Sequence, residues 1–433
     1  MNEVQYKDSP LGRIPKDWEL GVFGQMGFDI SDGNYSSLYP KQSDFVKSGV
    51  PFIRANNFHN STISSHDMRF ISNEQHSQLL KGHLKRGDIL ITTRGEIGRT
   101  SFVPNHFIGA NINAQIVRIN TKDVMDNVFF LYLLDFQITQ RQIRELVTGT
   151  ALKQLPIGKL NQVILLIPPL PEQQKIASIL TSVDEVIEKT EAQIEKLQDL
   201  KTAMMNELLT KGIGHTEFKD SELGKIPKSW EVSKVGDVIR KIDSGWSPEC
   251  FTEPAYGENW GVLKTTAVTW QGFNVAENKA LPASKEGRPQ ITLSEGDVLI
   301  TRAGPIDRVG VVAYCGKAYP RMMLSDKIIR IQVIFSILEG EFFSLWLSSA
   351  SAQGELKSKI SGMAEAQSNI SQEILKSIKI PIIYREEQQK IASILSSINT
   401  NIEEKQKKLE HTQSLKKSLM QDLLTGKVRV QVN

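Results

Sequence analysis

The sequence has few of the features that mark a membrane protein or a secreted protein. Its 433 residues contain no apolar stretch near the roughly 18 residues that a membrane-spanning helix needs. The two cysteines, Cys250 and Cys315, cannot form a disulfide framework and lack the Cys-x-x-Cys spacing of a zinc site. The N-terminal residues are polar and carry no apolar signal core, so we expect a cytoplasmic protein.

Motifs of the common catalytic sites are also missing. The sequence has no Gly-x4-Gly-Lys-Ser/Thr phosphate loop, no Gly-x-Gly-x-x-Gly dinucleotide motif and no Gly-x-Ser-x-Gly nucleophile elbow. It also lacks the Asn-Pro-Pro-aromatic or Asp-Pro-Pro-aromatic segment with which an adenine methyltransferase holds a flipped base. We therefore predict that this chain has no catalytic residues and binds no cofactor.

Histidines are the only residues whose distribution raises the question of a metal site. Five of the seven fall in the first half of the chain, namely His59, His66, His76, His83 and His106. Their spacing fits no familiar ligand pattern, and the second half has no counterpart. Scattered surface histidines are the favoured interpretation, and we predict no metal.

What the sequence does contain is a long internal repeat. Glu-Gln-Gln-Lys-Ile-Ala-Ser-Ile-Leu occurs at 172–180 and again, unchanged, at 387–395. Leu-Gly-x-Ile-Pro-x-x-Trp-Glu at 11–19 returns at 223–231, and the Gly-Asp segment at 87–92 returns at 296–301. Weaker echoes at equal spacing are Ile30–Gly33 with Ile242–Gly245, Ile116–Ile119 with Ile328–Ile331, and Gly149 and Gln154 with Gly362 and Gln367. Because their order is kept, we interpret the chain as a duplication of about half its length.

Each copy of the nine-residue segment opens a long amphipathic pattern. Its apolar positions alternate in steps of four and three, which is typical of a coiled-coil seam. We predict two helices of about 38 residues that pack on each other through Ile176, Leu180, Val183, Ile187, Ile194, Leu197, Ile391, Leu395, Ile398, Ile402 and Leu409. The polar seam residues Thr190, Lys201, Lys405, Thr412 and Lys416 set the register or face another protein. The seam alone leaves a parallel or an antiparallel pair open.

Before each of these helices the sequence predicts a domain of mixed α and β structure. The best strands, bounded by Gly, Asp, Asn or Pro, are Phe52–Arg54, Ile89–Thr93, Gln115–Ile119, Val262–Lys264, Val298–Arg302 and Lys327–Ile331. Helical pieces are expected at 128–147 and 342–358. Prolines at 168–171 and Pro381 are predicted to stop the strand before each long helix and so to mark the ends of the domains. The predicted class is α+β, with domains at 1–167 and 214–380 and helices within 168–213 and 381–433.

The residues after the predicted strands suit DNA recognition. Arginine and lysine bind guanine in the major groove, asparagine and glutamine bind adenine, and lysine, arginine, serine and threonine contact phosphate. The net charge of +3 permits nucleic-acid binding without arguing for it, so any basic surface must be local. The DNA-binding candidates are Arg54, Asn56, Asn57, Thr93, Arg94, Arg99, Lys264, Thr265, Thr266, Arg302, Arg308, Arg321 and Lys327. Trp246, Trp260 and Trp270 can stack on bases, although core packing is the favoured role for each.

The repeated motifs together resemble the specificity subunit of type I restriction–modification enzymes. The similarity covers essentially the whole chain and includes the helix ends at 205–210 and 420–425. It implies two target recognition domains, each binding one half of a split DNA site, joined by two helices in an antiparallel coiled coil with an internal pseudo-two-fold repeat. It further implies that the helices set the spacer between the half-sites and dock two modification subunits.

The resemblance also implies which partners supply the chemistry. Modification subunits would bind S-adenosylmethionine and methylate adenine, and restriction subunits would use ATP and Mg²⁺ to translocate and cut DNA. Two alternatives stay open at this point: a specificity partner of a fused nuclease–methyltransferase, and a coiled-coil adaptor that binds only proteins.

Overall fold

The computed structural model describes residues 5–35, 39–59, 61–360 and 368–432. The chain divides into two compact units, one made of Met1–Thr190 with Lys408–Asn433 and the other of Glu191–Lys407. Each unit combines a mixed α/β domain with part of two long helices. We call these the central helix, Leu170–Lys211, and the C-terminal helix, Arg385–Leu424. The predicted α+β class is confirmed.

The first unit is built around an antiparallel sheet whose strands run in the order Thr100–Phe102, Ile89–Thr92, Ile116–Asn120 and Asp29–Asp32. Its other described strands are Tyr6–Ser9, Gly12–Pro15, Glu19–Val22, Val50–Ile53, Phe58–His59, Thr62–Ile63, Arg69–Ile71, Asn111–Ile112 and Ile164–Ile167. Its shorter helices are Asn73–Gln78, Asn127–Asp135, Gln137–Leu146 and Ile157–Leu160, with 3-10 turns at Phe23–Gln25, Gln42–Asp44, Ala55–Asn57 and Asn105–Phe107.

The second unit repeats this sheet in the equivalent order Val312–Cys315, Asp297–Thr301, Ile328–Val333 and Ile239–Ser244. Its other described strands are Phe218–Ser221, Gly224–Pro227, Glu231–Lys234, Gly261–Leu263, Val268–Thr269, Gly272–Phe273, Asn278–Ala280, Thr292–Leu293, Ala303–Gly304, Tyr319–Met323, Ser368–Asn369 and Lys379–Ile382. Its shorter helices are Val235–Val238, Gly340–Leu347, Ala350–Ile360 and Gln372–Ser377, with 3-10 turns at Thr265–Ala267, Pro289–Ile291 and Ile306–Arg308. All six predicted strands are present, each shifted by at most two residues at either end.

Each of these two sheets carries a buried arginine on the third strand of the order given above. Arg118 donates to both carboxylate oxygens of Asp29 at 3.1 Å and lies 3.5 Å from Asp88, which is fully buried. Arg330 makes the equivalent contacts with Asp243 at 2.6 Å and Asp297 at 3.5 Å. Both arginines come from the repeated Ile-x-Arg-Ile segment. A buried charge needs partners, so the arginine of this motif makes ion pairs within the sheet of each domain.

The long helices run antiparallel, as the family resemblance implies. In the first unit, Leu180 of the central helix shares a core with Leu423 and Leu424 of the C-terminal helix. In the second unit, Leu209 of the central helix shares a core with Leu395. As the numbering rises along one helix, it falls along its partner. None of the eleven predicted packing residues is exposed, and Thr190, at 4%, is buried among them.

Each long helix begins against the tryptophan of the repeated Pro-x-x-Trp segment. Trp18 Nε1 donates to Oε2 of Glu172 at 2.9 Å, and Arg429 Nε donates to the second oxygen of that carboxylate at 2.7 Å. In the other copy, Trp230 Nε1 donates to Glu387 at 3.3 Å, and His215 Nε2 lies 2.8 Å from the same carboxylate. The Pro-x-x-Trp segment and the nine-residue segment, which are the most similar motifs of the two copies, therefore contact each other in both units.

Two expectations about the ends of elements need correction. The helical stretch at 128–147 is interrupted at Phe136, whose extended ψ of 140° separates two helices. The stretch at 342–358 is likewise divided into Gly340–Leu347 and Ala350–Ile360. Pro381 does not end its strand but lies inside Lys379–Ile382, paired with Val232. A two-stranded ribbon tolerates proline where its missing N–H is not required. The position that corresponds to Pro168 is Ile383.

The two seam lysines occupy equivalent positions but differ in their partners. Lys416 Nζ lies 2.6 Å from Asp184 Oδ1, and Tyr132 donates to the other oxygen at 2.7 Å. Lys201 is half-buried, and this burial lowers its pKa from the ordinary value of 10.5, with partial compensation from Glu403. A buried lysine of lowered pKa destabilises the fold wherever it is charged, so the penalty applies at neutral pH and disappears above pH 10.5.

We therefore expect Lys201→Leu to raise the free energy of unfolding at pH 7 by about 1 kcal/mol. Lys416→Leu should instead lower the free energy of unfolding by about 1–3 kcal/mol, because it leaves Asp184 without its cation. Urea unfolding of both variants at pH 7 tests the contrast. Equal effects of the two substitutions would show that the seam lysines are equivalent in environment as well as in position.

Candidate nucleic-acid interface

In the first unit, one exposed group of side chains combines a cation, two amides and an aromatic ring. The guanidinium of Arg94 lies 5.0 Å from the centre of the Tyr35 ring, and its Nη2 donates to Gln154 Oε1 at 3.2 Å. Gln115 is exposed. We call Tyr35, Arg94, Gln115 and Gln154 the first surface cluster.

Backbone hydrogen bonds bring the three segments of this cluster together. Thr93 N donates to Gln115 O at 2.7 Å, and Leu155 N donates to Thr93 O at 2.9 Å. Gly33 lets the segment that carries Tyr35 pass close by, since a Cβ there would lie 2.2 Å from Asn113 O. The glycine of the repeated Ile30–Gly33 segment is therefore required by close approach rather than by a turn.

A cavity of about 360 Å³ opens beside these side chains. Tyr35, Arg94 and Gln154 line it together with Asp32. Asp32 is the only carboxylate among the described residues of the lining, and it is paired with a cation, since Lys81 lies 3.3 Å away. The rim of the cavity thus presents hydrogen-bond donors and a ring face to solvent.

The second unit has a corresponding group of different side chains. Arg302 Nε donates to Asn369 Oδ1 at 3.1 Å, and Arg302 N donates to the carbonyl of the exposed Lys327 at 2.9 Å. The guanidinium of Arg288 lies 3.7 Å from the centre of a Trp246 ring. Trp246 N donates to Leu324 O at 3.0 Å, which places this half-buried residue beside the segment that leads to Lys327, and its side chain packs against the buried cluster that contains Met323, as the sequence analysis favoured. We call Trp246, Arg288, Arg302, Lys327 and Asn369 the second surface cluster.

The hydrogen bonds also define which residues correspond between the clusters. Ile370 N donates to Arg302 O at 2.8 Å, as Leu155 N does to Thr93 O. Asn369 is therefore the counterpart of Gln154, which replaces the match with Gln367 that the sequence suggested. Gly362 and Gln367 themselves lie outside the described residues.

The composition of the two clusters suits the reading of base edges. An arginine can bind the O6 and N7 of guanine, and an amide side chain can bind adenine. Each cluster holds an arginine next to an amide, and each pairs an arginine with an aromatic ring. The remaining side chains of the two clusters differ, with Tyr35 and Gln115 in the first and Trp246, Arg288 and Lys327 in the second.

Several other DNA-binding candidates lie next to a carboxylate of their own unit. Arg54 Nη2 lies 2.9 Å from Asp67 Oδ2, and Asn56 donates to the same oxygen at 3.2 Å. Burial does not explain the lowered pKa of Asp67, which follows from its hydrogen bond with Arg54. A neutralised arginine offers less attraction to phosphate, and the DNA contacts of this pair stay a prediction.

The same arrangement recurs in the second unit. Thr266 donates to Glu277 at 2.6 Å, and Lys264 lies 3.9 Å from that carboxylate. Arg321 is exposed and lies 2.6 Å from Glu258. The contacts of these residues with DNA also stay predictions.

Four further candidates hold the loops of their units in place. Asn57 is fully buried and accepts from Arg54 N at 3.0 Å. Arg99 donates to Phe58 O at 2.6 Å, and Arg308 donates to Thr265 O at 3.0 Å. Thr93, also buried, donates through its hydroxyl to Gln115 O. The structure assigns these side chains to internal hydrogen bonds, while a DNA contact by any of them stays a prediction.

The residues that sequence reasoning missed are Tyr35, Gln115, Gln154, Arg288 and Asn369. A signal was present for most of them. Tyr35 follows the Ile30–Gly33 echo, and Gln115 immediately precedes the echo of Ile116. Positions just outside a repeated segment, where the two copies diverge, are the ones that reach the surface clusters.

Comparison with known proteins agrees with this architecture. A family model described as the type I restriction modification DNA specificity domain matches the chain twice, at residues 15–199 and 227–411. The chain belongs to this family. Each match contains one of the two surface clusters and begins at the proline of a repeated Pro-x-x-Trp segment.

Two relatives show how far the similarity to other DNA specificity proteins extends. The chain is 29% identical over 454 aligned residues to the type I restriction enzyme MjaVIII specificity subunit of Methanocaldococcus jannaschii, covering 99% of this chain and 97% of that protein. It is 44% identical over 164 residues to the type I restriction enzyme EcoEI specificity subunit of Escherichia coli. That match covers 38% of this chain and 28% of the E. coli protein.

A solved structure shares the fold of this specificity-family chain. The S subunit of a type I restriction–modification system from M. genitalium superposes with a TM-score of 0.60 at 16% identity, covering 98% of this chain and 97% of that one. Within the described residues, no group of three or more His, Cys, Asp or Glu side chains is arranged to hold a metal ion. No helix in those ranges is long and apolar enough to cross a membrane.

Proposed function

We propose that this chain is the DNA specificity subunit of a type I restriction–modification complex, and that each unit reads one half of a bipartite, asymmetric site. The observation that carries the proposal is the pair of surface clusters. Their arginine–amide pairs follow equivalent strands of the two units, yet one cluster offers Tyr35, Arg94 and Gln154 and the other Trp246, Arg302 and Asn369. An asymmetric DNA site requires that two similar domains present different side chains to the bases.

The chemical steps belong to other chains in this proposal. Two modification subunits bind S-adenosylmethionine and methylate adenine, and restriction subunits use ATP and Mg²⁺. This chain supplies sequence readout and a docking surface for the modification subunits along the two long helices. Binding without catalysis accords with a sequence in which the catalytic motifs named above are missing.

Methylation mapping tests the proposal directly. Genomic DNA from cells that express the modification subunits with this chain should carry methylated adenine at one bipartite motif, and DNA from cells without the chain should not. Exchanging residues 1–167 for the corresponding domain of a relative should alter one half of the motif and leave the other. A motif that changes in both halves, or methylation that persists without the chain, would contradict the proposal.

The long helices are proposed to set the spacer between the half-sites. Insertion of seven residues between Thr190 and Glu191, with seven between Lys407 and Lys408, keeps the heptad seam and adds about 10 Å of helix. This corresponds to about three base pairs at 3.4 Å each. Methylation mapping should then find unchanged half-sites separated by a longer spacer. The original spacer would rule out the helices as its determinant.

A further inference from the structure

Leu152 is an aliphatic side chain held in solvent beside the first surface cluster. It is 88% exposed, and among the described residues only Leu80, at 89%, is a more exposed large hydrophobic side chain. At this exposure the side chain contributes almost nothing to folding, because apolar surface stabilises a protein only when it leaves water. Leu152 is two residues from Gln154, which belongs to the cluster.

The loop that carries Leu152 is closed at its base. Thr148 N donates to Gln154 O at 2.8 Å, and Gln154 N donates back to Thr148 O at 2.9 Å. Gly149 has φ of +89°, and a Cβ there would lie 2.4 Å from the carbonyl oxygen of Leu152. The loop is therefore tightly curled, and its tip is presented at low entropic cost to a partner.

The surroundings of the tip favour DNA over an apolar protein groove. Lys153 is exposed next to Leu152, and Arg94 is joined to the base of the loop through Gln154. One cation therefore follows Leu152 in the chain, and a second contacts the base of its loop. Phosphates lie on either side of a base step, whereas an apolar groove on a protein would leave both cations without partners.

We propose that Leu152 is a wedge that inserts between two stacked base pairs of the half-site bound by the first unit. Leucine side chains are used in this way by proteins that unstack and kink a duplex. Lys153 then contacts the adjoining phosphate while Arg94 and Gln154 face base edges. Opening the stack beside the target also lowers the work of extruding a base for methylation. The inference rests on the proposed function.

The test uses the complex of the full chain with its modification subunits. The probe is a duplex that carries the mapped methylation site with 2-aminopurine placed at successive positions of the first half-site, since this base brightens when it is unstacked. Wild-type protein should brighten one position. Leu152→Ala should abolish that signal and weaken binding by roughly tenfold, the affinity equivalent of burying most of one leucine side chain.

A duplex with an abasic nucleotide at the same step should bind both proteins equally, because the stack there is already open. Leu80→Ala, which removes an equally exposed leucine from another loop, should leave signal and affinity unchanged. If Leu152→Ala keeps the 2-aminopurine signal, or instead releases the modification subunits on gel filtration, the wedge is wrong. If wild-type complex shows no preference for the mapped site, the proposed function fails as well.

Discussion

Replacement of Glu172 by alanine should lower the free energy of unfolding by about 3 kcal/mol, at the low end of the range for breaking a buried ion pair. The Glu172 side chain is 2% exposed and accepts from Trp18 Nε1 and from two nitrogens of Arg429, at 2.7 and 2.8 Å. Removing it leaves a buried indole N–H without an acceptor. Arg429 is 26% exposed and keeps Asp17, which limits the loss. Denaturant unfolding measures the change.

Two further substitutions separate charge from shape at this contact. Glu172→Gln keeps an acceptor for Trp18 and loses only the ion pair, so it should cost less than Glu172→Ala. Glu387→Gln is the matched change in the second unit, where His215 and the Ile213 amide replace the arginine. It should cost less than Glu172→Gln. An unfolding midpoint of Glu172→Ala equal to that of the wild type would contradict the assigned role.

The same contact shows why the repeat was the most informative feature of the sequence. The Glu of the nine-residue segment and the Trp of the Pro-x-x-Trp segment are 154 residues apart in one copy and 157 in the other. Local propensity cannot reveal such a contact. Two motifs repeated together nevertheless indicate one joint role, and they allowed the duplication and the paired helices to be predicted.

Regular elements were predictable because their pattern is local. The strands within Val50–Ile53 and Ile89–Thr92 are short β-branched runs bounded by glycine, aspartate, asparagine or proline, and the long helices have a heptad seam. The break at Phe136 was not predictable, since neither proline nor glycine marks it in the sequence. The prediction that Pro381 ends a strand was wrong for the opposite reason. Proline is a strong local signal for the end of a strand, but here it pairs within a two-stranded ribbon.

The assignment of individual arginines lay beyond sequence reasoning. Arg94 and Arg99 are five residues apart in one loop, yet the first is exposed on the Tyr35 ring and the second donates to the carbonyl of Phe58. Arg118, in an apolar strand, turned out to be a buried partner of two carboxylates. Which arginine faces outward depends on loop closure by distant backbone groups, and no local pattern encodes it.

The two units share these internal arginines and differ in the arginines of the surface clusters. Arg118 and Arg330 occupy equivalent positions, as do Arg99 and Arg308, and each pair makes equivalent bonds. Arg94 has no arginine at its counterpart, which is Ala303, and Arg302 corresponds to Thr93. The internal arginines are equivalent in the two units, whereas the arginine of the second surface cluster, Arg302, lies one position earlier than Arg94 does in the first unit. Under the proposed function, this displacement would let the two units prefer different bases.

Substitution of these outward-facing arginines should therefore affect one half-site each. We expect Arg94→Ala to weaken specific binding by about 1–3 kcal/mol, or roughly 5- to 150-fold, and to relax preference at one base pair of the half-site read by the first unit. Arg302→Ala should do the same in the other half-site. Fluorescence anisotropy with the assembled complex and duplexes altered at single base pairs measures both effects.

Controls distinguish base reading from general attraction to the backbone. Arg94→Lys keeps the charge but loses the planar fork, so it should lose base preference while retaining the salt dependence of binding. Arg13→Ala removes an exposed arginine that lies against Tyr6, outside both surface clusters, and should leave the specificity ratio unchanged. If Arg94→Ala and Arg13→Ala weaken binding equally at every sequence, Arg94 contributes only charge, and the base contact must be sought elsewhere in the first unit.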